Sequence, residues 1–235
     1  MTEYFTNFYT LILELEQKGL VTRTFRRLDP QRQQAVLNAI LDEAAEVGPA
    51  DLNIRRVAER CVSSVGSLYQ YFGSRANLLA FTIELVVRTT VDTFNAYRPY
   101  LAEMPLLDAL QAYLTGGMEW TREQMGMARF FARIAYQGDP VLGEQVVQPI
   151  ATVLTGMVRD ILQAAQQRGE VRPELDVDAT ARILNTLLIA VADAQLLPYL
   201  NTYYQLTGDD LDPERSMRAL LALVANGLAA EAPHA

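Results

Sequence analysis

The chain has 235 residues, half of them hydrophobic, which is enough to bury a sizeable core without a metal or disulfide staple. Its single cysteine, Cys61, excludes an internal disulfide, and its single histidine, the penultimate His234, excludes histidine triads and histidine metal clusters. The formal net charge of −8 is unevenly spread: residues 1–80 hold nine Lys/Arg and nine Asp/Glu, so all the surplus acid lies in residues 81–235.

In chain order, Tyr4, Phe5, Phe8, Leu11, Ile12 and Leu15 recur at helical spacing in an extension, residues 1–27, that ends with Arg23, Arg26 and Arg27. Asp29-Pro30 then reads as an N-cap with proline at the first helical position, and Val36, Leu37, Ile40, Leu41 and Ala44 form an apolar face ending near Gly48-Pro49. Asn53 caps a short second helix with Ile54, Val57 and Ala58 inward, stopping around Arg60 or Cys61. Ser64 caps a third, Val65 to Phe72. Gly73 stops it, and Ser74 caps a fourth that runs toward Tyr97 and ends at Pro99. Further helices are expected near Leu106 to Thr115, Met118 to Gln137, Pro140 to Arg168, Val177 to Leu200 and Pro213 to Ala230. Gly169, Pro173 and the acidic turn Gly208 to Pro213 separate the last three. No hairpin signal interrupts them, so the fold class is all-α.

The opening stretch MTEYFTNFYTLILELEQKG carries acidic Glu3 where a secretory signal would be basic. The nearest approach to a membrane span, Ile183 to Leu200, is broken by Asn185, Asp193, Gln195 and Pro198. A cytoplasmic protein without a membrane partner is expected. Paired carboxylates such as Asp42-Glu43 and Asp209-Asp210 read as exposed caps and turns, and no phosphate loop or nucleophile elbow occurs. The inventory therefore speaks against an enzyme, a cofactor and a metal site.

Residues 53–72, NIRRVAERCVSSVGSLYQYF, have the parts of a helix-turn-helix: a bracing helix, a tight turn and a second helix that can enter the major groove. Gly66 and Ser67 permit close approach, Leu68 and Phe72 face inward, and Tyr69, Gln70 and Tyr71 are left outward. Between residues 23 and 75 there are eight basic and six acidic side chains, a balance that permits phosphate contact without forcing it. The extension has two open readings: a docked helix with a solvated linker, or an arm whose three arginines enter the minor groove.

The stretch Val57 to Leu79, VAERCVSSVGSLYQYFGSRANLL, resembles the tetracycline-repressor (TetR) family of bacterial transcriptional regulators. Ala58, Ser64, Gly66, Ser67, Leu68, Tyr69, Tyr71, Phe72, Ser74 and Leu78 match the family pattern. The resemblance covers roughly residues 30–80, with the helical layout and length agreeing beyond that. It implies an extension (1–27), a helix-turn-helix domain (28–80) and a helical ligand-binding and dimerisation domain (81–235). By position, Ser64 would cap the reading helix, with Val65, Gly66, Ser67, Gln70 and Arg55 against base edges and Asn53, Tyr69, Tyr71 and Arg75 on the DNA backbone. Two departures stand out: the family turn commonly reads Ala-Gly-Val where this chain has Cys61-Val62-Ser63, and Gly73 replaces a frequent proline. A valine where positive φ is needed would be strained, so either another turn conformation or a re-aimed reading helix is expected. Cys61 itself reads as a small buried hydrophobe.

The resemblance also implies a homodimer on a roughly palindromic double-stranded operator, most simply a repressor released by a small-molecule effector. Ala179, Ile183, Thr186, Leu187, Ala190 and Ala194 form a small-and-apolar stripe that faces either the second copy or the chain's own core. Candidate ligand contacts are Tyr113, Trp120, Phe130, Arg133 and Asp193, against a reading in which most of them are core or ion-paired. The alternative is a TetR-like DNA binder with no small-molecule response, acting through protein contacts or as a structural DNA binder.

Overall fold

The computed structural model describes residues 2–208 and 212–228, with side chains described for these except residues 2–7, 196, 198 and 213. Asp209, Asp210, His234, the expected helix end at Ala230 and the side chains of Tyr4 and Phe5 thus lie outside the described residues. The described residues are helical throughout their regular structure, with no strand. Six helices lead: α1 (Thr2–Gln17), α2 (Arg23–Arg26), α3 (Pro30–Val47), α4 (Ile54–Arg60), α5 (Val65–Phe72) and α6 (Arg75–Glu103). The chain forms two compact units, Met1–Thr89 with Gly126–Gln148, and Thr90–Met125 with Pro149–Ala235.

In the first unit α3 begins as the sequence dictates. The Asp29 carboxylate accepts from the Arg32 N–H at 2.9 Å, Pro30 occupies the first turn, and Val36, Leu37, Ile40, Leu41 and Ala44 are buried. The extension docks: Leu11, Ile12 and Leu15 of α1 are buried, and so are Val21 and Phe25 beyond it, so the segment after α1 is no solvated linker. Phe25 lies 5.3 Å from Phe72 and 5.5 Å from Phe81, and these two are 5.2 Å apart. Lys18 pairs with Glu84 at 3.0 Å, Arg88 pairs with Glu14, and the Asn77 amide donates to the Gly19 carbonyl at 3.2 Å. The part of this unit drawn from later in the chain, α8 (Met125–Gln137), comes close to α3: a Cβ at Gly126 would sit 3.2 Å from Leu41.

The second unit packs α7 (Leu106–Glu123), α10 (Gln148–Gln167), α11 (Val177–Leu196) and α13 (Pro213–Leu228) around Leu110, Leu114, Val158, Ile161, Leu184, Leu188 and Val224. Helix boundaries after α5 differ from the sequence reading in four places. Pro99 does not end α6. It leaves the Asn95 carbonyl without its helical donor, but that residue is exposed to water, while buried Leu101 holds the turn beyond. The break expected between Thr115 and Met118 falls at Gln124 instead, so the single helix expected from Met118 to Gln137 is divided between α7 and α8: Gly116-Gly117 lies inside α7, anchored on both sides by buried Leu114 and by Trp120, whose ring is 5.3 Å from Phe94. Between α9 (Pro140–Leu142) and α10 the helix widens into a π-type turn, Gly143–Val147, just before Pro149, whose ring would otherwise meet a carbonyl four residues back. Finally, Pro198 biases Leu197 to an extended conformation, so α11 stops at Leu196 and α12 (Pro198–Tyr204) starts anew.

By length and composition alone the helical stretch Pro140–Gln167 is apolar enough to cross a membrane, rather than the stretch singled out from sequence. It carries Glu144, Arg159 and Asp160, and it buries Val153, Met157, Val158, Ile161 and Leu162 on one face, as an amphipathic helix packed on a core does.

The docked extension has a measurable weight. Truncating Phe25 to Ala should lower the unfolding free energy by about 3–5 kcal/mol, the usual cost of a large-to-small change at a buried aromatic, read as a shift in the urea midpoint at constant slope. An unchanged midpoint would mean that the segment is solvated after all.

Candidate nucleic-acid interface

The bracing helix α4 is fixed at both ends. Asn53 adopts an extended conformation and its side chain accepts from the Arg55 N–H at 2.9 Å, as a cap should. Arg56 and Arg60, on successive turns, reach back to α3: both guanidinium groups contact Glu43, at 3.0 and 3.2 Å, and both pair with Glu46. From sequence Glu43 reads as an exposed carboxylate, but it is fully buried, because it shares the face of Val36 and Ile40 and its charge is offset there by the two arginines. The signal was present in the sequence as an acid three residues after Ile40, but its partners lie on another helix. The same arginines hold the Glu46 carboxyl below its ordinary range.

The turn keeps the glycine-type geometry with valine in it. Val62 has φ +51° and is 95% exposed, so neither another turn conformation nor burial relieves it. Its N–H donates to the Glu59 carbonyl at 3.2 Å, and the Ser63 N–H donates to the Ala58 carbonyl at 2.8 Å. These are the two bonds of a Schellman motif, in which the residue after the cap is left-handed. The motif thus satisfies two carbonyls at the cost of strain in a β-branched residue. Cys61 is half-buried rather than buried, its thiol donates to the Ala58 carbonyl at 3.7 Å, and partial burial pushes its pKa up.

Reading helix α5 follows. Ser64 is extended and its hydroxyl accepts from the Ser67 N–H at 2.9 Å, while the two hydroxyls lie 2.8 Å apart. Leu68 and Phe72 are buried, and Gly73 closes the helix with φ +74°. Ser64, Gly66, Tyr69 and Gln70 are exposed, Val65 and Ser67 half-exposed. Tyr71 is not wholly outward: it is half-buried, with its ring 5.9 Å from Phe25 and edge-on to it. Sequence reasoning missed what closes the far end of α5. Thr22, from the extension, donates its N–H to the Tyr71 carbonyl at 2.8 Å and its hydroxyl to the Gln70 carbonyl at 2.7 Å. Carbonyls at a helix C-terminus have no intrahelical donor, and here the extension provides it.

Arg55 is exposed. Arg75 turns its guanidinium toward the α3–α4 connection, where Nε donates to the Leu52 carbonyl at 2.8 Å and a terminal nitrogen donates to that of Ala50. It thereby ties the start of α6 to the start of α4.

The five residues considered for a ligand are not gathered in one unit. Phe130 is fully buried and Arg133 exposed in the unit containing α5, whereas Tyr113, Trp120 and Asp193 belong to the other. There the Tyr113 hydroxyl donates to Asn185 at 3.1 Å, the Asn185 amide donates to the Thr155 hydroxyl at 3.2 Å, and burial pushes the Tyr113 phenol up. Asp193 is buried on the same helix as Asn185. Asn185 and Thr155 were missed, although an Asn in the apolar run around Leu184 and Leu188 was a visible sign.

A capped helix pair with a tight turn and an exposed second helix defines a helix-turn-helix DNA-binding protein. Residues 36–80 match the family model described as bacterial regulatory proteins, tetR family. The transcriptional regulator UidR of Escherichia coli (strain K12) is 22% identical over 158 residues, 66% of this chain and 77% of that protein. A TetR-family regulator from Chloroflexus aurantiacus superposes with a TM-score of 0.65 at 18% identity, covering 90% of this chain and 99% of that one. FadR from Bacillus subtilis, in complex with stearoyl-CoA, superposes with a TM-score of 0.59 at 16% identity, covering 83% and 98%. Residues 36–80 thus match the DNA-binding module of TetR-family regulators, and 90% of the chain shares the fold of a solved TetR-family regulator.

The strained turn yields a direct test. Val62→Gly should stabilise the protein by roughly 1 kcal/mol, since relief of a left-handed β-branched residue exceeds the entropy that glycine adds to the unfolded chain. Because the side chain is exposed, no packing is lost. A destabilised variant in thermal or urea unfolding would contradict the assigned turn geometry.

Proposed function

We propose that the protein is a homodimeric repressor that binds a roughly palindromic operator in the cytoplasm and is released from it by a small-molecule effector. The observation that carries this is α5, anchored by Leu68 and Phe72, capped at Ser64, closed by Thr22, and presenting Gly66, Tyr69 and Gln70 to solvent. In this reading Val65, Gly66, Ser67, Gln70 and Arg55 meet base edges, while Asn53, Tyr69 and Tyr71 hold phosphates. Arg75 serves by holding the Leu52 and Ala50 carbonyls and offers its remaining donors to the DNA backbone. Residues 28–80 are the DNA-contacting part, and regulation lies in the residues after 80.

The dimer reading rests on α11. Ile183 is 65% exposed and Leu187 is exposed beside Ala179 and Thr186, an apolar stripe that a second copy would cover, whereas Ala194 turns to the chain's own core. The effector reading draws on the fold it shares with FadR, crystallised with stearoyl-CoA, and with a γ-butyrolactone receptor. Within this chain it draws on the Tyr113–Asn185–Thr155 polar chain in an apolar helical unit. Release then follows from linkage: an effector that favours a dimer with wrongly spaced reading helices lowers DNA affinity by that same preference.

Selection of bound sequences from a random DNA pool should recover a palindrome with two equivalent half-sites, and a non-repeated motif would refute the dimeric operator. On that operator Gln70→Ala should change which bases are preferred, whereas Tyr69→Phe should weaken binding to all sequences alike. Ile183→Glu should convert the dimer to a monomer in light scattering; a dimer that persists would place the interface elsewhere.

A further inference from the structure

Between residues 23 and 75 the chain carries eight arginines and no lysine, and the structure commits most of them. Arg26 pairs with Glu16 and with the Tyr9 hydroxyl, Arg32 with Asp29, Arg56 and Arg60 with Glu43 and Glu46, and Arg75 with two carbonyls. Among the described residues this leaves Arg23, Arg27 and Arg55 with no acidic partner. Arg55 opens the bracing helix. Arg23 and Arg27 stand four residues apart around the single turn of α2, both exposed, on the side opposite buried Phe25. Their position is set by Thr22, the preceding residue, whose two hydrogen bonds attach it to the last carbonyls of the reading helix. A helix that enters the major groove N-terminus first passes the phosphate backbone as it leaves, at its C-terminal end.

We infer that Arg23 and Arg27 form a second DNA contact, a phosphate clamp on the strand flanking each half-site, presented from a docked helical turn rather than from a flexible minor-groove arm. This rests on the DNA-binding reading above and extends it to the N-terminal extension. Two exposed guanidinium groups carried on backbone that is tied beside the end of the reading helix match two phosphates in charge, and phosphate contacts of this kind fix register without reading sequence.

The test uses the full chain, the selected operator and a Arg23→Ala/Arg27→Ala double variant, with affinity measured by fluorescence anisotropy across a salt series. Each lost phosphate contact should reduce the slope of log affinity against log salt by about 0.9, so the double variant should lose about 2 in slope. The weakening should be equal on operator and unrelated duplex. Arg23→Lys/Arg27→Lys should keep the slope, because the charge is retained, and a circular dichroism spectrum matching the parent excludes a folding defect. A parent that binds its operator and a double variant with an unchanged slope would overturn the clamp alone. A parent that binds no DNA sequence would overturn the DNA-binding reading and the clamp with it.

Discussion

The geometry of the DNA-binding unit depends on where Phe72 goes. As the last residue of α5 it is buried against Phe25 and Phe81, while Leu68, one turn earlier, is buried on the same face. A fully buried Phe is worth roughly 1.5–3 kcal/mol in transfer alone, against roughly 0.5–1.5 for a typical hydrogen bond, so the aromatic contacts set the rotation of α5 and the caps refine it. Once Leu68 and Phe72 point inward, 3.6-residue periodicity leaves Gly66, Tyr69 and Gln70 outside. The extension belongs to this constraint rather than being appended to it: Phe25 completes the aromatic cluster, and Thr22, three residues earlier, meets the carbonyls that the helix end leaves open.

The bracing helix is held by a different kind of force. Burying the Glu43 carboxylate is costly on its own, and the two guanidinium groups in contact with it offset that cost. Such a cluster adds less net stability than an apolar contact of equal size, but it is directional, and a shift of α4 along α3 would leave the carboxylate unpaired. The exposed half of the cluster behaves as an acid-labile element. The arginines lower the Glu46 carboxyl in the folded state, so its contribution is complete above the unfolded value and disappears as the pH falls through the folded one. Apolar packing therefore orients the reading helix, and paired charge sets the position of the helix that supports it.

Local signals in the sequence were sufficient wherever the structure is locally determined. Asp29, Asn53, Ser64 and Gly73 do at the helix ends what their residue types suggest, because a cap is decided within four residues. What was not legible depended on partners distant in sequence. Glu43 reads as a surface acid until Arg56 and Arg60 are known to face it, and Tyr71 reads as outward until Phe25 arrives from the extension. Pro99 and Gly116-Gly117 signal breaks, yet buried Leu101 and Leu114 hold their helices through them, since tertiary burial outweighs a propensity cost of about 1–3 kcal/mol. Ligand contacts are the least legible from sequence, because aromatic residues at helical spacing look alike whether they fill a core, as Phe130 does, or take part in a polar chain, as Tyr113 does.

The distribution of charge constrains how this protein can find DNA. Its surplus acid lies after residue 80, and most arginines of the N-terminal part are consumed in holding helices together. At physiological salt the Debye length is about 8 Å, so acidic groups farther from the interface than that oppose binding only weakly and distant basic ones cannot assist it. Attraction must then come from the few guanidinium groups within reach of the duplex, whose placement depends on the same caps and aromatic contacts that orient α5. A protein built this way gains little from long-range steering and much from fit. In the proposed dimer, a rearrangement that displaced the reading helices would remove base contacts and phosphate contacts together, so a modest structural change would suffice to release the DNA.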